Sequence, residues 1–177
     1  DLKTIDHSQQ ALREHFSRMG QPASVEPVLL CRHPDSEPEP IGVYKSRLEP
    51  NDALSVSVVI PCRLGTRKVV DGKELILLEH CLQAISRSLS ATDDRVAGGH
   101  EVQIVLVLNA EDDLAKAEES IRRHHLGGIA ICDEPGFDFA RKCNLGAQKS
   151  TGDILVFLND DTEMQTSGWL HDVASLL

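Results

Sequence analysis

The sequence predicts an α/β fold in which a mostly parallel sheet carries helices on both faces. Four short apolar segments, rich in valine, isoleucine and leucine, recur between residues 55 and 158. Segments with helical spacing of apolar residues separate them, as in strands joined by crossover helices. Prolines are concentrated before residue 51, so we divide the chain into a lead-in, residues 1–50, and a main domain, residues 51–177.

The lead-in is expected to contain one helix and one hairpin. Ser8–Met19 has apolar side chains at helical spacing, and Gly20 follows it as a stop signal. Two apolar runs, Val25–Leu30 and Ile41–Tyr44, flank the acidic segment Pro34–Pro40. Two such runs around a polar loop are typical of a hairpin.

The main domain is predicted as alternating strands and helices, from apolar content and from spacings of three and four. The predicted strands are Ser55–Ile60, Val102–Leu108, Ile129–Cys132 and Ile154–Leu158. The predicted helices are Glu74–Leu89, a helix from Asp112 or Asp113 to about His125, Phe139–Lys149, and a last helix that starts at Ser167 and includes Leu177. Ala91–His100 is predicted to be a loop, and Phe139, Cys143 and Ala147 are expected to face the core.

Ligands of such Rossmann-like sheets bind outside the carboxyl ends of the strands. Functional residues are therefore expected just after Ile60, Leu108, Cys132 and Leu158. The candidates at or shortly beyond these ends are Pro61, Arg63, Asn109, Glu111, Arg141, Asn144, Asn159, Asp160 and Asp161.

Two adjacent carboxylates, Asp160 and Asp161, follow the very apolar fourth strand. They repel each other unless a positive charge lies between them, and Mg²⁺ or Mn²⁺ prefers such oxygen ligands. A solvated acidic turn explains the same residues equally well at this point. Both interpretations therefore stay open on the pattern alone.

Composition and motifs exclude several other classes. The formal net charge of −10 argues against a nucleic-acid-binding protein. No apolar run approaches the roughly 20 residues of a membrane span. The five cysteines have no CxxC spacing, which indicates reduced thiols and a cytoplasmic protein. The phosphate-binding motifs GxxxxGK[ST] and GxGxxG are both absent.

Several candidates also have a purely structural interpretation. These alternatives are a salt bridge from Arg141 to Asp138 or Glu134, a loop-bracing role for Asn144, turn roles for Asn109 and Glu111, and surface exposure for Arg63.

The segments VSVVIP, LEHCLQAI, VQIVLVLNAEDD, GFDFARKCNLGAQKSTGDILVFLNDDTE and GWL occur in this order from Ser55 onward. With them the chain resembles the bacterial family 2 glycosyltransferases of the GT-A fold. The lead-in resembles the region before this domain in large multidomain enzymes of cell-surface polysaccharide assembly. The resemblance implies inverting transfer of a sugar from a nucleoside-diphosphate sugar to a hydroxyl of a glycan or lipid-linked acceptor. A cytoplasmic location, at the inner face of the membrane, would suit such an acceptor.

The resemblance also implies roles for the candidate residues. Asn159-Asp160-Asp161 matches the family's DxD motif, in which Asp161, with Asp160, would hold Mn²⁺ or Mg²⁺. Asn159 or Asp160 would face the ribose or the waters of the metal. The remaining nucleotide-binding positions would be Pro61, Arg63, Asn109, Glu111, Arg141 and Asn144.

Two departures from the family pattern bear on function. The family's base-contacting Asp after the second strand is replaced by Leu108, with Asn109 after it, and the first DxD position is Asn159. The family's catalytic base comes from the acceptor half, which would lie beyond Leu177. The resemblance thus implies a truncated GT-A domain that is inactive alone. The alternative is a degenerate, non-catalytic binding or scaffold module. A phosphotransferase or receiver-type domain is weaker, because no acidic residue directly follows the first strand.

Overall fold

The computed structural model describes residues 2–21, 23–31, 37–48, 54–90, 101–136 and 138–174. The chain divides into two compact units. One comprises Asp1–Asn51 with His171–Leu177, and the other comprises Asp52–Leu170. In the described ranges, no helix has the length and apolar character needed to reach across a bilayer.

The first unit contains helix α1 (Leu2–Arg18) and the antiparallel strands β1 (Ala23–Leu30) and β2 (Glu39–Leu48). This confirms the predicted helix and hairpin, although the helix begins six residues earlier than expected. Arg13 Nη2 donates to the carbonyl of Val25 at 3.1 Å, and the Tyr44 hydroxyl donates to the carbonyl of Ile5 at 3.1 Å. These bonds hold the hairpin against the helix. Part of the predicted Pro34–Pro40 loop lies outside the described residues.

The second unit alternates strands and helices. Its elements are β3 (Val56–Pro61), β4 (Arg67–Val70), β5 (Lys73–Ile76), α2 (Leu77–Ser90), β6 (Val102–Leu108), α3 (Leu114–Arg123), β7 (Gly127–Cys132), α4 (Phe139–Lys149), β8 (Ile154–Phe157) and the first two residues of α5 (Trp169–Ala174). The predicted Ala91–His100 loop and Leu177 lie outside the described residues.

Four of these strands form a parallel sheet in the order β7-β6-β3-β8. The chain moves outward from β3 to β6 and β7, and then returns to the other side of β3. Because parallel crossovers are right-handed, α2 and α3 cover one face and α4 covers the other. The predicted fold class, a Rossmann-like sheet with helices on both faces, is confirmed.

The core lies around the two central strands. All six residues of β3 and the last five of β6 are buried. On the α4 face, Val59, Val105 and Val107 form a cluster against which Leu145 packs. A Cβ atom added to Gly146 would lie 2.3 Å from Cγ1 of Val59. Glycine is therefore needed where α4 crosses β3.

The predicted helix Glu74–Leu89 begins too early. It starts at Leu77, because β4 and β5 form a short antiparallel hairpin before it. Asp71 and Gly72 occupy its turn with φ of 50° and 75°. Two positive φ angles are what a type I′ turn requires, and Asp-Gly is a preferred pair for it.

The predicted inner face of α4 is also partly wrong. Phe139 is 46% exposed, whereas Lys142 and Gly146 are the buried residues of this helix. Phe139 begins the helix beyond the carboxyl edge of the sheet, where it borders a cleft rather than the packed core. The close approach at Gly146 sets which side faces inward, and Lys142 lies one turn before it on that side.

Candidate functional site

A cleft of about 630 Å³ opens at the carboxyl ends of β3, β6 and β8. Its lining residues are Pro61, Cys62, Arg63, Asn109, Glu111, Glu134, Gly136, Phe139, Lys142, Asn159, Asp160 and Asp161. Seven of the nine sequence candidates are therefore brought together here, and Arg141 and Asn144 are not among the lining residues. The cleft includes the point between β3 and β8 where the strand order reverses, which is where ligands bind in such sheets.

The carboxyl end of β8 is a tight turn that carries the paired carboxylates. The N–H of Thr162 donates to the carbonyl of Asn159 at 3.2 Å. Asp160 is half-buried, whereas Asn159 and Asp161 are exposed. The backbone of Arg63 is close enough to the Asp160 carboxylate to lower its pKa. The end of β8 therefore lies beside the residues that follow β3.

Electrostatics distinguish Asp160 from an ordinary surface acid. Burial raises the pKa of Asp160, and the neighbouring Asp161 raises this pKa further. The Arg63 backbone and the charge of Lys142 lower this pKa. A carboxylate whose ionised form is disfavoured by burial and by a neighbouring carboxylate is suited to a cation, which would relieve the repulsion.

The described residues form no cluster of three or more His, Cys, Asp and Glu side chains that could hold a metal ion. The turn offers two carboxylates, from Asp160 and Asp161. Mg²⁺ is commonly held by one or two carboxylates together with substrate phosphates and water, rather than by a complete protein cage. The residues present therefore fit a metal that arrives with a phosphate ligand better than a metal bound alone.

The carboxyl end of β6 is fixed by a turn that begins at Asn109. Its N–H donates to Oδ2 of Asp112 at 3.0 Å, and the N–H of Asp112 donates back to the carbonyl of Asn109 at 3.1 Å. Asp113 then caps α3 by accepting from the N–H groups of Ala115 and Lys116. The turn interpretation of Asn109 is thus correct for its backbone, while its side chain lies at the cleft.

Lys142 is a cleft residue that sequence reasoning missed. Its side chain is 1% exposed, and Nζ donates to the carbonyl of Cys62 at 3.0 Å and to that of Val107 at 3.3 Å. A third bond runs to Oδ1 of Asn109 at 2.7 Å. A lysine in a helix is usually exposed to solvent, so the residue type alone does not predict that Lys142 is buried. The signal for its burial was its position four residues before Gly146, on the side of α4 that faces the sheet.

Arg141 forms a salt bridge, as one interpretation expected, but with a different partner. Nε donates to Oδ1 of Asp133 at 2.8 Å, and Nη2 donates to the carbonyls of Glu134 and Gly136 at 3.2 and 2.9 Å. The Asp133 side chain is only 2% exposed, and Arg141 holds its pKa below the usual range. Asp138 instead caps α4 by accepting from the N–H of Arg141. Arg141 thereby braces the loop that supplies Glu134 and Gly136 to the cleft.

Asn144 is exposed on α4 and lines a separate cavity of about 660 Å³, together with Asp133 and Arg141. The five cysteines are not joined in disulfides. Burial raises the pKa of Cys81 to about 12, and Cys81 Sγ lies 3.8 Å from the carbonyl of Asn159. Cys81 is therefore a protonated packing residue beneath the turn.

No family model matches the sequence, and no curated protein matches it. Among solved structures, it is similar to the mannosyltransferase PcManGT from Pyrobaculum calidifontis, determined in complex with GDP-Man and Mn²⁺, with a TM-score of 0.48 and 19% identity over 72% of this chain and 34% of that one. It is similar to S. aureus TarS 1-349 with a TM-score of 0.46 and 17% identity over 68% and 31% of the two chains. A cytidylyltransferase from Leptospira borgpetersenii gives a TM-score of 0.41 and 17% identity over 70% and 49%. The chain spans about a third of the mannosyltransferase chain and of the TarS 1-349 chain.

Proposed function

We propose that this chain is the nucleotide-sugar-binding part of an inverting family 2 glycosyltransferase with a GT-A fold. The observation that carries the proposal is the placement of Asp160 and Asp161 at the end of β8, in one cleft with the end of β3 and Asn109. This is the position at which the DxD-like motif of that family would bind the donor. In this proposal residues 1–50 are a lead-in to a domain that begins near residue 51.

The reaction would form a bond between an acceptor oxygen and the anomeric carbon, and would break the bond from that carbon to the diphosphate. Negative charge then develops on the departing diphosphate. A divalent metal held by Asp160 and Asp161 would supply Lewis-acid stabilisation of that charge. Arg63 at the rim and buried Lys142 beneath the cleft are the basic residues that line it in the described ranges.

The acceptor hydroxyl must lose its proton to a base, and we place that base outside this chain. The β8 surface supports the idea that further elements of a longer protein complete the domain. Leu155 and Phe157 are 40% and 50% exposed, and their register partners are Ser57 and Val59 on β3. Apolar side chains on the face of a sheet are normally covered. Alone, the chain is expected to bind the donor without transferring the sugar.

A non-catalytic binding module is the second candidate function. It is favoured by Asn159, which replaces the first acidic residue of the motif. It is also favoured because the turn offers only two carboxylates and the described residues include no larger group of metal-binding side chains. Such a module would retain the cleft but would not need the metal. Metal dependence therefore separates the two functions.

Thermal unfolding with nucleotide sugars tests the proposed function. A ligand present at 100 times its Kd stabilises the folded chain by about 2.7 kcal/mol, which raises the melting temperature measurably. We expect one of the UDP-, dTDP- or GDP-sugars to raise the melting temperature with Mn²⁺ and not without it. ATP with Mn²⁺ is the control. An equal rise with ATP, or no rise with any nucleotide sugar, would contradict the donor site.

A further inference from the structure

The orientation of the Asn109 side chain is set by Lys142. The Asn109 backbone is already fixed, because its N–H and its carbonyl both bond to Asp112. The side-chain oxygen Oδ1 accepts from Lys142 Nζ at 2.7 Å. Among the described residues, none accepts a hydrogen bond from Nδ2, the other polar atom of this side chain.

Lys142 is itself held rigidly. It is 1% exposed, and Nζ also donates to the carbonyls of Cys62 and Val107. An ammonium group has three N–H donors and no acceptor. Three oxygens at 2.7 to 3.3 Å accept hydrogen bonds from this group. Because Nδ2 is a donor, it cannot accept a hydrogen bond from the ammonium group. Exchanging Oδ1 and Nδ2 by rotation of the Asn109 amide would therefore lose the bond to Lys142.

We propose that Lys142 is a specificity-determining positioning residue, which makes Asn109 present its N–H donors to the cleft. The part of the ligand that lies over the end of β6 must then carry a hydrogen-bond acceptor, such as a carbonyl oxygen of a nucleobase. This inference rests on the proposed function for the identity of the ligand as a nucleoside diphosphate. To that function it adds that Asn109 is the donor in its hydrogen bond to the ligand, and that Lys142 fixes this orientation.

The variant Asn109→Asp tests whether Asn109 donates a hydrogen bond to the ligand or serves only as an acceptor for Lys142. The carboxylate keeps an oxygen for Lys142 but loses both N–H donors. We expect the chain to remain as stable as the wild type and to bind its nucleoside diphosphate about tenfold more weakly, since one hydrogen bond to the ligand is lost. Unchanged affinity would overturn the inference, because Asn109 would then serve only as a partner for Lys142.

A double-mutant cycle tests whether Lys142 acts through Asn109. Affinity is measured by calorimetry with Mn²⁺ and whichever of UDP, dTDP and GDP binds the wild type most tightly. We expect Lys142→Met to weaken binding about tenfold in the wild type and much less in the Asn109→Leu background, since the two residues act as one unit. Lys149→Met, on the exposed side of the same helix, is the control.

The outcomes separate this inference from the function on which it rests. Equal effects of Lys142→Met in both backgrounds would overturn the positioning role while leaving the donor site intact. A wild-type chain that binds no nucleoside diphosphate would overturn the proposed function and this inference with it. If Lys142→Met does not fold, Asn109→Asp decides the question, because it retains an oxygen for the ammonium group.

Discussion

Arg141 and Asp133 form an ion pair at the carboxyl end of β7, with Nε donating to Oδ1 at 2.8 Å. The Asp133 side chain is almost fully buried, and the Arg141 side chain is 38% exposed. Because Arg141 also bonds to the carbonyls of Glu134 and Gly136, the pair holds the loop beside the cleft as well as the end of the strand.

Asp133→Asn should lower the free energy of unfolding by about 2 kcal/mol, because it removes the charge that the buried end of this pair supplies to Arg141. Urea unfolding measures the change. Arg122→Met is the matched control, since Arg122 pairs with Glu118 and Glu119 on an exposed face of α3. Exposed pairs of this kind contribute only about 0.5 kcal/mol. Equal losses in the two variants would contradict the buried role of Asp133.

The same pair predicts a pH dependence. Arg141 lowers the pKa of Asp133 in the folded chain, so the stabilisation is complete above the ordinary pKa of an unfolded aspartate, about 3.9. It is lost as the pH falls from there through the lowered pKa. The stability difference between wild type and Asp133→Asn should therefore be constant from pH 7 to pH 5 and should shrink below about pH 4. A difference that shrinks between pH 7 and pH 5 would show another titrating group.

Gly146→Ala should destabilise the chain by about 2 kcal/mol, because the new methyl group would overlap Cγ1 of Val59. Gly127→Ala provides the control. A Cβ atom there would meet only the carbonyl of Val102, at 3.8 Å. Thermal or urea unfolding of both variants measures the contrast, and a tolerated Gly146→Ala would mean that α4 packs differently on β3.

The thiols should differ in reactivity. Cys31 is exposed, whereas Cys62 and Cys81 are buried and burial raises the pKa of both thiols. Because the thiolate is the reactive form, a disulfide reagent should modify Cys31 much faster than either buried cysteine. Mass spectrometry of the modified peptides identifies the order. Rapid modification of Cys81 in the folded chain would show that the turn carrying Asp160 opens and exposes this thiol.

The strands and the place of the cleft could be predicted because strong apolar runs specify a buried parallel sheet, and because ligands of such sheets bind at one edge. β6 and α4 were predicted to the residue, as Val102–Leu108 and Phe139–Lys149. The β4–β5 hairpin was missed because the apolar spacing from Leu75 onward continues through β5 into α2. The Asp71-Gly72 pair was the signal that should have shortened the helix.

The role of Lys142 could not be predicted, because it depends on tertiary packing. Gly146 brings α4 close to the sheet, and this places a lysine among backbone carbonyls at the strand ends. The partner of Arg141 was misassigned for a similar reason. Asp133 is eight residues away in sequence, and it approaches Arg141 only because β7 and α4 meet at that corner.

The most direct test of the donor site is calorimetric titration of this chain with UDP, dTDP and GDP, with and without Mn²⁺, on wild type, Asp161→Ala and Glu118→Ala. Glu118 is an acidic residue on α3 outside the cleft, so its variant makes the same change in charge. We expect one nucleotide to bind only with Mn²⁺, with at least tenfold weaker binding in Asp161→Ala and unchanged binding in Glu118→Ala. Nucleotide binding that depends neither on Mn²⁺ nor on Asp161 would contradict a glycosyltransferase donor site. The absence of binding both in this chain and in a longer chain that includes the acceptor half would contradict it as well.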